Sequence, residues 1–374
     1  MPEPLGPTIA VRPAANVISV LWAKVLNPCS SSFLRYITLA GYPTTAVPRR
    51  SRLRLVPLAT SLHSGPHLAV ALSRPDVRRA YESGASIVEL RIDLMPEADL
   101  AELLAPPRPP VIVTNRAKRE GGACDLPEGA RIASLFRAAL LGAEYVDIEH
   151  FAATLGVFEE IRRRGARVIV SRHDFAGMPD LPGWANALAS TRADVVKVVG
   201  MANSVLDLAP VLATLRAAVR PTIALGMGEH GLASRIMALA YSRCFLTFAS
   251  YGGLATAPGQ VDLGVLRAEY RAETIGRRTR FIAVATDRTP SGTIAAVNRI
   301  LAAARPDFVA VPVVLADVPI DIVTARLADA PIEAWVIGAE GDRLRCHSRI
   351  DDWAECACRI GDLALSAADG GPPA

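Results

Sequence analysis

The sequence predicts an α/β protein: a (β/α)8 TIM barrel followed by a small α/β C-terminal extension. Two observations carry this prediction. From His67 onward, short apolar runs alternate with stretches of helical periodicity, a pattern typical of a parallel sheet wrapped by helices. Charged and hydrogen-bonding residues cluster at one end of nearly all these runs. Active sites of such barrels lie at the carboxyl ends of the strands.

The predicted barrel elements follow one another with short connections. The predicted strands are residues 67–72, 86–92, 110–114, 145–148, 168–171, 195–198, 222–225 and 245–249. The predicted helices are residues 75–83, 129–141, 155–164, 184–190, 204–218, 232–241 and 261–273. This alternation covers about 210 residues, a little less than is typical of the fold.

The sequence pattern after the barrel predicts a second, smaller structural unit. Residues 281–286, 307–315 and 333–337 look extended, and residues 292–304, 320–328 and 351–366 look helical. These amount to one or two βαβ-like units of roughly 90 residues, which is small for an independent domain. We therefore divide the chain into a catalytic barrel at 66–277 and a C-terminal extension at 278–374.

Residues 1–65 differ from the rest of the chain in composition, and we expect this basic segment to have little fixed structure. Between Met1 and Pro75 the only acidic residue is Glu3, whereas arginines are frequent. Such a segment fits a transit peptide, a disordered tail or an incorrectly early start codon. It does not fit a secretory signal, because no compact apolar core follows the basic residues.

Composition excludes several classes of protein. Hydrophobic residues make up 51% and charged residues 21% of the chain, which is typical of a globular protein with a large core. No apolar run is long enough to span a membrane, and no basic helix suggests nucleic-acid binding. The six scattered cysteines indicate reduced thiols and a cytoplasmic location. Cys346, His347, Cys356 and Cys358 do not match zinc spacings, so buried thiols are favoured there.

The stretch between Val168 and Gly200 carries the two residues most suited to catalysis. Lys197 lies among valines, where burial should lower the pKa of its ammonium group. A neutral lysine can attack a carbonyl and form a Schiff base. His173 follows the preceding strand and can move protons near neutral pH. Local sequence leaves open a lysine that simply reaches solvent. Asp147 and Glu149, at the end of the fourth predicted strand, are interpreted as structural residues that support His173 or Lys197.

The ELRID segment on the second predicted strand has two interpretations. Glu89, Arg91 and Asp93 alternate, so all three should face one side of the strand. They form either part of a binding site or an ion-pair ladder inside the barrel. Gly121 and Gly122 resemble a phosphate cradle only superficially, because no Lys-Ser/Thr follows them, and a flexible loop is favoured.

Seven motifs occur in an order that resembles a known family. They are VELRIDL, TNRAKREGG, YVDIE, SRHDF, VVKVV, MGEHGLASR and APGQ, and they cover residues from about His67 to Glu273. Each is weak alone, but together on the predicted strands they resemble type I 3-dehydroquinate dehydratase of the shikimate pathway. That family has a (β/α)8 barrel and needs no metal and no organic cofactor.

The resemblance implies a role for each matching residue. Lys197 would form an imine with the ketone of 3-dehydroquinate, and His173 would remove a proton and then protonate the departing hydroxyl. Glu120 would orient the imidazole and favour its charged form. Arg235 would pair with the substrate carboxylate. The remaining residues would contact the ring hydroxyls or the lid loop, residues 256–260, and they are Glu89, Arg91, Arg116, Thr256 and Gln260.

Departures from the family pattern and competing functions stay open. Thr256 stands where the family commonly has serine, and its extra methyl could alter lid closure. The extension faintly resembles the substrate-binding half of shikimate dehydrogenase, without that enzyme's catalytic lysine, which predicts a remnant without redox activity. A transaldolase-type aldolase would explain Lys197 but not His173 with Glu120. A non-catalytic barrel binding a small acid would explain only Arg235. A homodimer is one arrangement the sequence leaves open.

Overall fold

The computed structural model describes residues 66–105, 107–286, 293–337 and 345–348. Several predicted features lie outside these ranges: the basic segment 1–65, the stretch 287–292, the last predicted helix at 351–366, and Cys29, Cys356 and Cys358. The division of the chain at residue 277 stays a prediction.

Eight parallel strands form the predicted barrel. They are β1 (His67–Leu72), β2 (Ile87–Arg91), β3 (Val111–Thr114), β4 (Tyr145–Glu149), β5 (Arg167–Asp174), β6 (Val195–Met201), β7 (Thr222–Met227) and β8 (Leu246–Ser250). The strands pair in the order β7 to β1 and then β8. The ring closes where Thr222 N–H donates to Arg243 O at 2.8 Å and Phe245 N–H donates to Thr222 O at 2.9 Å. A two-residue strand, β9 (Val261–Asp262), pairs with the end of β8.

Helices surround the barrel as the periodicity predicts. They are α1 (Val77–Glu82), α2 (Leu100–Leu103), α3 (Glu128–Leu140), α4 (Leu155–Arg163), α5 (Leu181–Ala189), α6 (Leu208–Ala217), α7 (Leu232–Met237) and α8 (Leu263–Ala268). The sequence does not predict α2, which has only four residues. Predicted helices 204–218, 232–241 and 261–273 are shorter in the structure, because 3-10 turns occupy one end of each.

The barrel interior is filled by residues that alternate along each strand. Val195 and Val199 of β6 belong to the apolar cluster inside the barrel, whereas Val196 and Val198 belong to the layer between strands and helices. Since successive side chains of a strand point to opposite faces, Lys197 shares the inward face with Val195 and Val199. The same alternation on the neighbouring strands gives the inward face polar side chains near the carboxyl ends of the strands, next to the apolar interior.

A second sheet follows the barrel. Its strands β10 (Arg280–Thr286), β11 (Phe308–Val314), β12 (Ile332–Ile337) and β13 (Arg345–Ser348) have the order β11-β10-β12-β13, with only β13 antiparallel. Helices α9 (Thr293–Ala304) and α10 (Ile320–Arg326) connect them. Pro312 lies in the edge strand β11, where the missing N–H is tolerated. Asn298 of α9 pairs with both backbone groups of Ala310, which covers part of that edge.

One detail of the predicted strands is wrong. Strand β2 ends at Arg91, and Ile92–Leu94 forms a 3-10 turn. Asp93 is therefore not on the strand face that carries Glu89 and Arg91, because the turn breaks the two-residue alternation. Among the described helices, none is long and apolar enough to cross a membrane.

Candidate active site

All nine predicted site residues line one pocket at the carboxyl ends of the barrel strands. They are Glu89, Arg91, Arg116, Glu120, His173, Lys197, Arg235, Thr256 and Gln260. Apolar side chains complete the lining, among them Phe175, Val199, Leu225, Met227 and Phe248. Nine of the sixteen lining residues are polar or charged, and convergent polar groups of this kind fix the orientation of a bound small molecule.

Lys197 is buried at the base of this pocket between two carboxylates. Its ammonium Nζ donates to Glu89 Oε1 at 3.1 Å and to Asp147 Oδ2 at 2.9 Å, and it lies 4.6 Å from the centroid of the Phe248 ring. Only 5% of the residue is exposed. Desolvation disfavours the charge and the two carboxylates favour it, so the sequence argument from burial alone is incomplete.

Asp147 joins Lys197 to a buried arginine. Its Oδ1 accepts hydrogen bonds from Ser171 Oγ at 2.6 Å and from Arg116 Nη2 at 2.8 Å. Burial alone would raise the pKa of this carboxyl, but the Arg116 and Lys197 cations lower it well below its usual range. Asp147 is therefore ionised, and it fixes the position of the Lys197 amine.

Arg116 is surrounded by acidic groups inside the barrel. Burial would lower its pKa, but Asp147, Glu149 and Glu120 together raise it. Its Nη1 donates to Ser171 Oγ at 2.6 Å and lies 3.5 Å from Glu149 Oε1. With most of its donors engaged by the protein, Arg116 offers the pocket a fixed positive charge.

Glu149 supports the buried ion-pair network of Arg116 and Asp147. Its Oε2 pairs with Arg131 Nη1 at 2.5 Å, and its Oε1 accepts a hydrogen bond from Ala117 N–H at 2.9 Å. Arg131 also donates to Asn115 O at 2.8 Å. These contacts hold the segment that carries Arg116, which agrees with the supporting role that the sequence suggests for Glu149.

The His173 imidazole contacts a carboxylate. Its Nδ1 lies 2.9 Å from Glu120 Oε2, and the other oxygen, Oε1, lies 3.3 Å from Nδ1 of His150. The His173 ring stacks on Phe175 with ring centroids 6.3 Å apart. Glu120 thus orients His173, and His150 is a neighbour of Glu120 that the sequence does not single out.

The charge state of His173 differs from the one expected. Burial, Arg116 and Lys197 lower the pKa of His173 well below 6.5, and Asp147 only partly opposes them. Burial likewise raises the pKa of Glu120 to about 7, although Arg116 acts in the opposite direction. The expectation was that Glu120 would favour the charged imidazole; burial and the two cations act in the opposite direction and favour the neutral ring, the state that a proton acceptor needs.

The two glycines after Glu120 are required by close packing. Gly121 has φ +73, and a Cβ there would lie 2.3 Å from the Phe175 ring. A Cβ on Gly122 would lie 2.0 Å from the carbonyl oxygen of Arg116. A loop packed this closely brings Glu120 against His173 and is not the flexible loop that the sequence favours.

Arg235 also lines the pocket, and no acidic side chain of the described part of the chain pairs with it. It is only 2% exposed, and its Nη2 donates to the Pro258 carbonyl at 3.0 Å. Its buried Nε has no hydrogen-bond partner among the described residues. Burial lowers the pKa of Arg235 to about 10, so it remains charged near pH 7. A buried guanidinium with free donors is suited to an anionic ligand.

The lid loop closes on itself beside Arg235. Gln260 Oε1 accepts a hydrogen bond from Thr256 N–H at 2.8 Å, and Gln260 Nε2 donates to Thr256 Oγ1 at 3.1 Å. Both side chains line the pocket. They are positioned to exchange this internal pairing for contacts with a bound molecule.

Sequence reasoning missed or misassigned several contacts. It treated Asp147 as a supporting residue, but the carboxylate contacts the Lys197 amine directly. Arg91 pairs with Asp93 through Nε at 2.9 Å and Nη2 at 2.7 Å. The alternation in YVDIE could have placed Asp147 inside the barrel, whereas no pattern in the sequence identified Phe248.

No group of three or more His, Cys, Asp or Glu residues that could hold a metal ion was found within the described ranges.

Comparisons with known proteins match the barrel part of the chain. A family model described as type I 3-dehydroquinase matches residues 70–277. The chain is 37% identical over 194 residues to the 3-dehydroquinate dehydratase of Methanothermobacter thermautotrophicus, and the match covers 50% of this chain and 86% of that protein.

Two further comparisons extend this result. The chain is 32% identical over 232 residues to the chloroplastic bifunctional 3-dehydroquinate dehydratase/shikimate dehydrogenase of Arabidopsis thaliana, and the match covers 59% of this chain but only 38% of the plant protein. The crystal structure of 3-dehydroquinate dehydratase from Geobacillus kaustophilus matches with a TM-score of 0.50 at 23% identity. It covers 55% of this chain and 89% of that one, and at this identity it supports the fold.

Proposed function

Because the chain belongs to the type I 3-dehydroquinase family, we propose that it is a lyase that dehydrates 3-dehydroquinate to 3-dehydroshikimate in the shikimate pathway. The observation that carries this proposal is the presence in one pocket of a buried amine, Lys197, a histidine whose neutral form is favoured, and a buried arginine without an acidic partner among the described residues. The proposed reaction proceeds through a Schiff base, and every catalytic group in it is a side chain of this protein.

Formation of the imine is the first step of the proposed mechanism. The Lys197 ammonium loses a proton, and the free amine attacks the substrate ketone. The carbinolamine hydroxyl takes up a proton and leaves as water as the C=N bond forms. Asp147 and Glu89 are both within hydrogen-bond distance of Nζ. The protonated imine then withdraws electrons from the adjacent carbon, which makes a proton there easier to remove.

His173 is the proposed acid and base of the second step. Its Nδ1–H donates to Glu120, which leaves Nε2 free to remove the activated proton. The resulting imidazolium returns that proton to the departing hydroxyl, so water is lost and a double bond forms. The lowered pKa of His173 keeps the imidazole neutral and able to accept the proton, and it makes the imidazolium a stronger acid for the second transfer. Hydrolysis of the imine releases the product and restores Lys197.

Arg235 is the proposed binding group for the substrate carboxylate. A ligand carboxylate would supply the acidic partner that this buried guanidinium lacks within the described structure, and two parallel N–H···O bonds would fix the orientation of the ring. The ring hydroxyls would be bound by the other polar residues of the pocket, which are Glu89, Arg91, Arg116, and Thr256 and Gln260 of the lid loop. The aldolase and non-catalytic alternatives make no use of this combined arrangement.

Replacing Arg235 with alanine should weaken substrate binding more than chemistry. Removing one partner of a buried charge pair costs about 2 kcal/mol or more, so KM should rise about thirtyfold or more, with a smaller change in kcat. Arg235→Lys is the matched variant: it keeps the charge but loses the two-pronged geometry, and it should recover only part of the affinity. An unchanged KM in Arg235→Ala would remove this residue from carboxylate binding.

Glu120 should control the pH dependence of turnover. Its carboxylate forms as the pH rises through about 7, and only the carboxylate fixes the His173 tautomer that exposes Nε2. We therefore expect kcat to rise with pH through this range. In Glu120→Gln the rise should disappear, and kcat at pH 8 should fall roughly tenfold to a hundredfold, less than for loss of the acid–base group itself. A variant that retained the wild-type pH profile would contradict this role.

Borohydride trapping tests the proposed substrate and mechanism together. Incubation of the protein with 3-dehydroquinate and sodium borohydride should give a stable adduct, which peptide mass spectrometry should locate on Lys197. An adduct with other keto compounds but not with dehydroquinate would favour a different Schiff-base enzyme. Folded protein that forms no adduct with any of them would favour the non-catalytic reading.

The same proposal includes a cytoplasmic location and a homodimer. The cytoplasmic assignment is supported by the free thiols of Cys124 and Cys244, because reduced cysteines are typical of that compartment. Sedimentation of the purified chain would establish how many copies associate.

A further inference from the structure

The second sheet lies against the wall of the barrel that carries Arg235. Strand β11 packs on helix α7, which contains Arg235. The apolar residues of the two elements belong to one continuous core, with Ile236 and Met237 of α7 in the same cluster as Val311 of β11. All seven positions of β11 are buried, so the edge strand is covered.

A polar contact joins the loop that precedes α7 to the extension. This loop, residues 228–231, is called here the β7–α7 loop. His230 Nδ1 lies 3.1 Å from the carbonyl oxygen of Val314, the last residue of β11. A carbonyl can only accept, so Nδ1 carries the hydrogen and donates it. The β7–α7 loop is thereby tied to the end of an extension strand.

The β7–α7 loop also contacts the lid loop. Gly228 N–H donates to Pro258 O at 3.3 Å, and a Cβ on Gly259 would lie 2.4 Å from Gly228 O. Arg235 donates to the same Pro258 carbonyl at 3.0 Å. The loop therefore lies between the extension on one side and the arginine and lid loop on the other, without contributing to the pocket lining itself.

We propose that the C-terminal sheet is a structural part of the dehydratase site, and that His230 is the positioning residue through which β11 places Arg235 and the lid loop. This inference rests on the proposed function, since it concerns the group assigned to the substrate carboxylate. It gives the extension a role that requires no second activity.

Loss of the His230 contact should affect binding before chemistry. His230→Ala should raise KM for 3-dehydroquinate about fivefold, which corresponds to the roughly 1 kcal/mol typical of one hydrogen bond. Turnover should change less than twofold, because Lys197 and His173 lie on β6 and β5, and Glu120 lies on a 3-10 turn that follows β3. His230→Asn should restore the wild-type KM, since Asn Nδ2 stands at the same number of bonds from the backbone as His Nδ1 and also donates.

Arg216→Ala is the matched control for the extension. Arg216 lies on α6 and contacts Asp329 of the extension, with Nη1 2.9 Å from Oδ2. This pair also joins the barrel to the extension, but it lies on the exposed surface and does not line the pocket. KM in this variant should equal that of wild type.

Hydrogen exchange on the substrate-free protein supplies a readout that does not depend on turnover. Amides of residues 228–237 and 256–260 should exchange faster in His230→Ala than in wild type or Arg216→Ala, and His230→Asn should reverse the change. Unchanged exchange, faster exchange with an unchanged KM, or an equal KM rise in Arg216→Ala would each overturn the proposal. If wild type fails to convert dehydroquinate, the proposed function is wrong, and exchange alone decides whether His230 holds the two loops.

Discussion

Lys197→Ala is expected to lower turnover of 3-dehydroquinate by about a thousandfold or more, a loss of about 4 kcal/mol of transition-state stabilisation. Without the amine no imine forms, so the adjacent carbon is not acidified and His173 has no reactive proton to remove. Borohydride should likewise give no adduct. Full turnover in this variant would show that the imine mechanism is wrong.

Lys197→Arg separates loss of the nucleophile from loss of the charge. Removing the lysine leaves Glu89 and Asp147 without their shared cation, and an uncompensated buried charge costs about 3–5 kcal/mol of stability. Arginine keeps a positive charge there but cannot form the imine. We expect Lys197→Arg to be as inactive as Lys197→Ala but closer to wild type in thermal unfolding. An active arginine variant would indicate that Lys197 acts only through its charge.

His173→Ala should reduce kcat by about a hundredfold to ten-thousandfold, the usual range for general acid–base groups. Imine formation should survive, because the Lys197 amine and its two carboxylates are untouched. The variant should therefore still be trapped by borohydride, even though product appears slowly. This retained adduct serves as the internal control for folding and substrate binding.

Two results would contradict the role of His173. An unchanged rate would remove the imidazole from the mechanism. Loss of both the adduct and turnover in a folded variant would show that His173 acts earlier, in substrate binding or in forming the imine. Measuring the adduct and the rate on the same preparation distinguishes these cases.

Much of the barrel was predictable because its strands are uniform. A strand buried on both faces is mostly apolar and β-branched, as in residues 195–199 apart from Lys197, and such runs stand out from polar turns. Helix ends were less predictable: 3-10 turns replaced the last turn of the predicted helix 232–241. The four-residue α2 was missed, because so short a segment cannot show helical periodicity.

The candidate site shows a similar division. Lys197 was visible because a charge inside a valine run is exceptional, and His173 because it ends the neighbouring run. Asp147 was predicted to be only a supporting residue, because the sequence pattern of a strand carboxylate is the same whether it supports a neighbour or contacts the amine. The lowered pKa of His173 could not be predicted from the sequence, because Arg116 is 57 positions away in the chain and only folding brings that cation close.

The sequence by itself determined which residues face the barrel interior and on which strand each chemical group lies. Two-residue alternation and strand order follow from local pattern, and the nine site residues that the resemblance implies all line one pocket. Only the tertiary structure decided how these groups pair: Lys197 with Asp147 and Glu89, Glu120 with two histidines, and Arg235 with no carboxylate. Such pairing depends on distances of a few ångströms between strands remote in sequence. Electrostatic interactions at that range determine which groups are charged.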